Sequence, residues 1–132
     1  MAKSNKLTPE MKKKLAGLLP CNNDFTVEYT PESVKELDKE FQYSFTLKPW
    51  NNNEMTNISK KMSGTPDDST ILDLIRKQIV GLNNLINLST EECVEYAEDD
   101  KGSLTKEIFD TVPQRVKLEI FTELTRISGI KV

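Results

Sequence analysis

The chain has 132 residues, of which 36% are hydrophobic and 30% are charged, which is typical of one domain with a modest core. Its apolar stretches are only a few residues long, far short of the roughly 20 residues that cross a bilayer. The first twenty residues also lack the apolar block of a secretory signal. We therefore expect an intracellular protein that neither spans nor binds a membrane.

The sequence contains no histidine. This excludes Ser-His-Asp and Cys-His nucleophilic systems and histidine-containing zinc sites. The sequence also lacks a dinucleotide-binding or phosphate-cradling glycine motif and a nucleophile elbow. We predict a non-enzyme that needs no cofactor, with carboxylate-based catalysis as the weaker alternative.

Cysteine usage gives little functional information. Cys21 and Cys93 lie far apart, without the close paired spacing of a zinc or redox site. Two buried free thiols are the favoured interpretation, and a disulfide between them is the alternative.

Charge is distributed unevenly along the chain. Residues 1–14 contain five lysines and one glutamate, a side-chain charge of +4, whereas the remainder carries −7. An acidic body is a poor nucleic-acid ligand, so we do not expect nucleic-acid binding by the domain.

The N-terminal segment carries the signals of an amphipathic helix. Thr8 is a suitable N-cap and Pro9 a suitable first residue, and Pro20 marks a stop. Apolar residues recur on one helical face at Met11, Leu15, Leu18 and Leu19. We predict a helix over 8–19 within a basic arm, 1–20, that precedes a domain, 21–132. Its apolar face either packs on that domain or docks on a partner, and a basic surface for nucleic acid or membrane is the third alternative.

Two segments alternate with the period of a half-buried strand. Residues 25–29 place Phe25, Val27 and Tyr29 on one side, and residues 41–48 are dominated by aromatics on one side. Pro49 ends the second segment, since it lacks a backbone N–H. The pattern predicts an antiparallel pair with one face covered by helices.

Three helical segments follow. Residues 51–62 predict a short helix, with Trp50 joining it to the preceding strand, and residues 71–80 predict a central core helix that ends near Gly81. A Thr111-x-x-Gln114 capping box predicts the start of a final helix that closes at Gly129, with an apolar stripe of Val116, Ile120, Phe121, Leu124 and Ile127. The fold class is α+β, a small antiparallel hairpin or sheet packed against about three to four helices.

Residues 91–100 form an acidic segment that is compatible with a hairpin, a helix or a loop. It lacks the alternating acidic ligands and downstream glutamate of a calcium-binding EF-hand loop. We therefore expect no metal site there.

Three blocks occur in a suggestive order. They are FTLKPW at Phe45–Trp50, LIRKQIVGL at Leu74–Leu82, and FDTVPQRVKLEIFTELTRISGI at Phe109–Ile130. This arrangement resembles the tail assembly chaperones of long-tailed bacteriophages. The similarity covers roughly residues 43–130.

The resemblance implies a chaperone that coats the hydrophobic tape measure protein before tail tube subunits polymerise around it. Such a protein acts in the bacterial host cytoplasm and is absent from the finished virion. The tape measure protein is the expected partner, with the tail tube protein and a second copy of the chain as further candidates. An acidic charge would keep the coated complex dispersed.

The residues that contact a partner do not follow from the resemblance, since its motifs have the character of core. The arm provides the candidates Met11, Leu15, Leu18 and Leu19, because an amphipathic helix can dock through such anchors. Trp50 is a weaker candidate, with core packing the favoured explanation.

Two other functions fit the composition. One is a head–tail connector or tail completion subunit that persists in the virion. The other is a small inhibitor that binds an enzyme by charge mimicry through its acidic segment.

Overall fold

The structure, a computed structural model, describes residues 7–22, 24–64 and 68–129. Its helices are α1 (Pro9–Leu15), α2 (Asn52–Met62), α3 (Asp68–Arg76), α4 (Lys106–Thr111) and α5 (Gln114–Ile127). Its strands are β1 (Val27–Tyr29), β2 (Ser44–Leu47), β3 (Ile79–Asn83), β4 (Ile86–Asn87) and β5 (Glu92–Cys93). Two 3₁₀ turns, Val34–Glu36 and Lys39–Phe41, connect β1 to β2.

A three-stranded antiparallel sheet in the order β1-β2-β3 forms the centre of the fold. Val27 pairs with Leu47 and Tyr29 with Phe45, so the alternating apolar residues of both strands face one side. Phe45 and Leu47 are fully buried. The predicted antiparallel pair and the α+β class are confirmed, with five α-helices in the described residues where three to four were expected.

The prediction of one continuous helix through Val80 is wrong. Helix α3 ends at Arg76, and Ile79–Asn83 is a strand that pairs with β2. Gly81 lies opposite Thr46, and a Cβ at Gly81 would approach the Thr46 Oγ1 to 3.0 Å. The glycine thus permits close packing within the sheet.

The predicted cap of the final helix is also wrong. Thr111 is the last residue of α4, and its hydroxyl donates back to the Ile108 carbonyl at 2.6 Å. Pro113 precedes α5 without a side-chain cap, whereas Thr105 caps α4 by accepting from the Ile108 N–H. The buried stripe of α5 agrees with the prediction; it includes Val116, Ile120, Leu124 and Ile127.

The N-terminal helix begins as predicted and ends early. The Thr8 hydroxyl accepts from the Met11 N–H, but the helix stops at Leu15, and Gly17 adopts a φ of +87°. Leu18 and Leu19 therefore lie in the turn after α1, whereas the sequence pattern predicts them on the helix. Residues 1–6 of the predicted arm lie outside the described residues.

Helix α5 holds three distant segments through polar side chains. Glu119 accepts from both the N–H and the hydroxyl of Ser33, at 2.8 and 2.6 Å. Arg126 donates to the Lys13 carbonyl at 2.9 Å while forming a bidentate pair with Glu123. At the end of the helix, the Ser128 hydroxyl accepts from the Trp50 N–H at 2.9 Å.

Gly17 and Gly129 pack against each other with their backbones in contact. A Cβ at Gly129 would lie 2.7 Å from the Gly17 carbonyl oxygen, and Gly129 has a φ of +79°. The absence of both side chains lets the turn after α1 lie directly on the end of α5.

The two cysteines are exposed and free, so the prediction of buried thiols is wrong. Cys21 lies in the connection between α1 and β1, and Cys93 ends the short strand β5. Both segments lie at the surface of the protein, so neither thiol reaches the core.

None of the helices in the described ranges is long and apolar enough to span a membrane.

Replacing Gly129 by alanine should destabilise the chain more than replacing Gly102. Both glycines have positive φ, but a Cβ at Gly102 meets nothing within 4 Å. We expect a loss of about 1 kcal/mol for Gly102→Ala, from backbone strain alone, and about 2–4 kcal/mol for Gly129→Ala, which adds the clash with Gly17. Urea unfolding measures both, and equal losses would contradict the close contact.

Candidate functional site: a partner-binding surface around the first helix

The five residues predicted to bind a partner occupy three different environments. Leu18, Leu19 and Met11 expose 79%, 50% and 44% of their surface. Leu15 is half-buried, and Trp50 is buried at 4% exposure. The exposed apolar group is thus centred on α1 and the turn that follows it.

Two grooves meet at the segment Leu19–Asn22. Leu15 and Leu19 line the first groove, which we call the helix–strand groove, between α1 and residues 24–28. Leu19 and Trp50 line the second, between the α1 turn, the start of α2 and the end of α5. The structure therefore brings together Leu15 with Leu19 and Leu19 with Trp50, whereas Leu18 and Met11 lie outside both grooves.

The helix–strand groove has an apolar part and a charged part. The apolar part has a volume of about 450 Å³ and is lined by Leu7, Leu15, Leu19 and Phe25. The charged part measures about 400 Å³ and lies between Pro9–Lys13 and Thr26–Glu28. Lys12 and Thr26 line both parts, so the two are neighbouring stretches of one groove.

Five charged side chains line this groove, and two of them, Lys13 and Glu28, are engaged within the chain. The Lys13 ammonium lies 5.2 Å from the centre of the Tyr29 ring, and Glu28 accepts from the hydroxyls of Thr46 and Ser44. Burial, reinforced by Glu119, raises the pKa of Tyr29 to about 12, so its ring stays neutral beneath Lys13. Lys12 has no ion pair within the described residues.

The second groove is mainly polar. Lys48, Asn51, Asn53 and Glu54 line it beside Trp50. Asn51 and Glu54 form the capping box of α2, in which each side chain accepts from the other residue's N–H. Trp50 packs edge-on against Phe121 with ring centroids 6.3 Å apart, so most of its surface serves the core.

Sequence reasoning missed two residues of the apolar groove, Leu7 and Phe25. Leu7 precedes Met11 and Leu15 at a spacing of four, the same helical face, but it lies just before the Thr8 cap. Phe25 had been placed in a strand, whereas β1 begins at Val27. Extending the apolar face of α1 to the residue before the Thr8 cap would have identified Leu7.

The acidic segment supplies the second strand, β5, of a hairpin whose first strand, β4, precedes it. Strands β4 and β5 pair through Ile86 with Cys93 and Asn87 with Glu92. Beyond the hairpin, Asp99 binds Arg76 at 2.9 Å and accepts from the N–H groups of Lys101 and Ser103. Across the described ranges, no group of three or more histidine, cysteine or acidic side chains could hold a metal ion.

No protein-family model, no curated protein and no solved structure matches the chain. Function must therefore be inferred from its own residues and geometry.

Replacing Trp50 by alanine should destabilise the protein, because the buried indole ring of Trp50 packs against Phe121. We expect a loss of about 3–5 kcal/mol in the free energy of unfolding, and a much smaller loss for Trp50→Phe. Chemical denaturation followed by circular dichroism measures both. A near-neutral Trp50→Ala would contradict a core role for the ring.

Asp99 should make stability depend on pH in the acid range. The hydrogen bond from Ser103, then the bond from Arg76, lowers the pKa of Asp99 below its usual value. The stabilisation is present above the ordinary aspartate pKa of about 3.9 and is lost as pH falls towards the lower folded value. We expect Asp99→Asn to be less stable near neutral pH and to lose less stability than the wild type below about pH 4. Parallel pH dependences would contradict this role.

Proposed function

We propose that the chain is a non-catalytic phage tail assembly chaperone that binds and solubilises the tape measure protein. The observation that carries the proposal is the exposure of Leu18 and Met11 on a helix and turn that are fixed to the body. A group of exposed apolar side chains is typical of a site of protein association, whereas a single one is ordinary. The order of the three sequence blocks supplies the phage context.

The position of these residues suits a client that is itself apolar. Leu18 lies outside both grooves, so it is available to a large partner that could not enter a groove. The lysines at positions 12–14 neighbour the apolar residues on α1, and the body beyond is acidic. A bound complex would thus present charge to water around a shielded apolar contact.

The competing inhibitor function depends on the carboxylates of the acidic segment. Asp99 is held by Arg76, and Glu98 accepts from the Tyr96 hydroxyl at 3.1 Å. These two carboxylates are engaged within the chain, whereas Glu91, Glu92, Glu95 and Asp100 are exposed, and a charge mimic uses carboxylates that are available to the target.

Replacing Leu18 by aspartate should abolish client solubilisation without unfolding the chain. Leu88 is the matched control, because it is 91% exposed and lies in the β4–β5 turn, away from α1. We expect Leu18→Asp to weaken client binding at least about tenfold, and Leu88→Asp to leave it unchanged. The measurement is co-expression with the tape measure protein, scored by client solubility and co-purification.

The same experiment with the wild-type chain tests the chaperone proposal itself. If the tape measure protein is equally insoluble with and without the chain, the chaperone proposal fails. Retention of the chain in purified virions would favour the connector.

A further inference from the structure

Strand β1 lies at the edge of the sheet, and a helix covers its outer side. Its strand partner is β2, and the described residues provide no second partner strand. Helix α1 lies directly against β1 and also against α5. Covering an edge strand with a helix is one way in which proteins prevent strand pairing between molecules.

The hydrogen bonding of β2 shows which residue of β1 turns its main chain outward. The Lys48 N–H donates to the Gln78 carbonyl, on the side of β3. Successive residues of an antiparallel strand bond to opposite neighbours, so Leu47 bonds to its β1 partner, Val27. Glu28, the next residue, therefore directs its N–H and C=O away from β2. These groups face the side on which α1 lies.

Few contacts hold α1 in this position. None of its seven residues is buried, and a helix of this length is not stable in isolation. The Arg126 guanidinium donates to the Lys13 carbonyl at 2.9 Å, and the Lys13 ammonium lies over the Tyr29 ring. The turn after α1 rests on Gly129. An element with so few buried contacts opens locally at a lower free energy than the whole chain unfolds.

The edge that such an opening uncovers fits the same strand of a second copy. An antiparallel pair centred on Val27 sets Glu28 of one copy opposite Thr26 of the other, so that like charges do not face each other. Strand β1 also contains no proline, a residue that protects many exposed edges.

We propose that α1 is a removable cover that prevents β1 from pairing with β1 of a second copy. In the closed position, which the structure shows, α1 occupies the space that an added strand would fill. Local opening of α1 makes the outward N–H and C=O of Glu28 available, and two copies then associate through their sheet edges. The cover acts whether or not the chain binds a tape measure protein through Leu18.

Native-state hydrogen exchange tests whether α1 opens on its own. We expect the amides of α1 to exchange at least about a hundredfold faster than the slowest amides of α5. Arg126→Ala should speed exchange in α1 about tenfold, whereas Arg115→Ala, at an exposed residue of the same helix, should not. Equal protection of α1 and α5 in the wild type, or equal effects of the two variants, would overturn the proposal.

A milder pair of variants lies on α1 itself and leaves α5 intact if Arg126→Ala unfolds the chain. Lys13→Ala removes the contact with the Tyr29 ring and should speed exchange in α1 about threefold. Lys14 is exposed and has no ion pair in the described residues, so Lys14→Ala should not. Equal exchange in these two variants would overturn the assignment of Lys13 to holding the cover.

Sedimentation velocity at increasing protein concentration tests what the uncovered edge does. We expect Arg126→Ala to dimerise at a concentration at least about tenfold lower than the wild type requires, because more of the chain is open. Adding Glu28→Pro should weaken this dimer at least about tenfold, since proline deletes the outward N–H without deleting a hydrogen bond to β2. Adding Glu28→Gln should retain the dimer. Circular dichroism verifies folding of each variant. An Arg126→Ala chain that associates no more than the wild type, or a dimer unaffected by Glu28→Pro, would overturn the proposal.

Discussion

Packing against α5 is the constraint on which the other elements depend. Its apolar stripe lies in the core with Phe45 and Leu47 of the sheet, while its polar side chains bind Ser33, the Lys13 carbonyl and the Trp50 N–H. These three bonds join the β1–β2 connection, α1 and the start of α2 to one helix. Through these side-chain hydrogen bonds, a buried helix determines where the neighbouring segments lie in the fold.

Local patterns predicted the elements whose signals lie within a few residues. The Thr8 cap, the alternation of Phe45 and Leu47, and the stripe of α5 all belong to this group. The error at Ile79–Gly81 has a tertiary cause: Ile75 and Ile79 keep a spacing of four that suits a helix, yet pairing with β2 outweighs it. The β-branched pair Ile79-Val80 before Gly81 was the local signal for a strand.

The grooves depend on a contact that no local pattern contains. A helix through Leu19 would continue the apolar face, but Gly17 turns the chain so that Leu19 lines the grooves and Leu18 faces solvent. This turn fits because Gly17 meets Gly129 near the other end of the chain. The sequence predicted the apolar residues, whereas their division between surface and groove followed only from this long-range contact.

The fixed position of α1 bears directly on how tightly the surface that carries Leu18 binds a partner. Arg126 holds the Lys13 carbonyl and the glycine contact holds the turn, so α1 forms one wall of the groove and presents Leu18 before any partner arrives. A binding site that is ordered in the free protein loses less conformational entropy on association. The contacts between α1 and α5 therefore contribute to affinity at the Leu18 surface, although Arg126, Gly17 and Gly129 are not themselves the residues proposed to contact the partner.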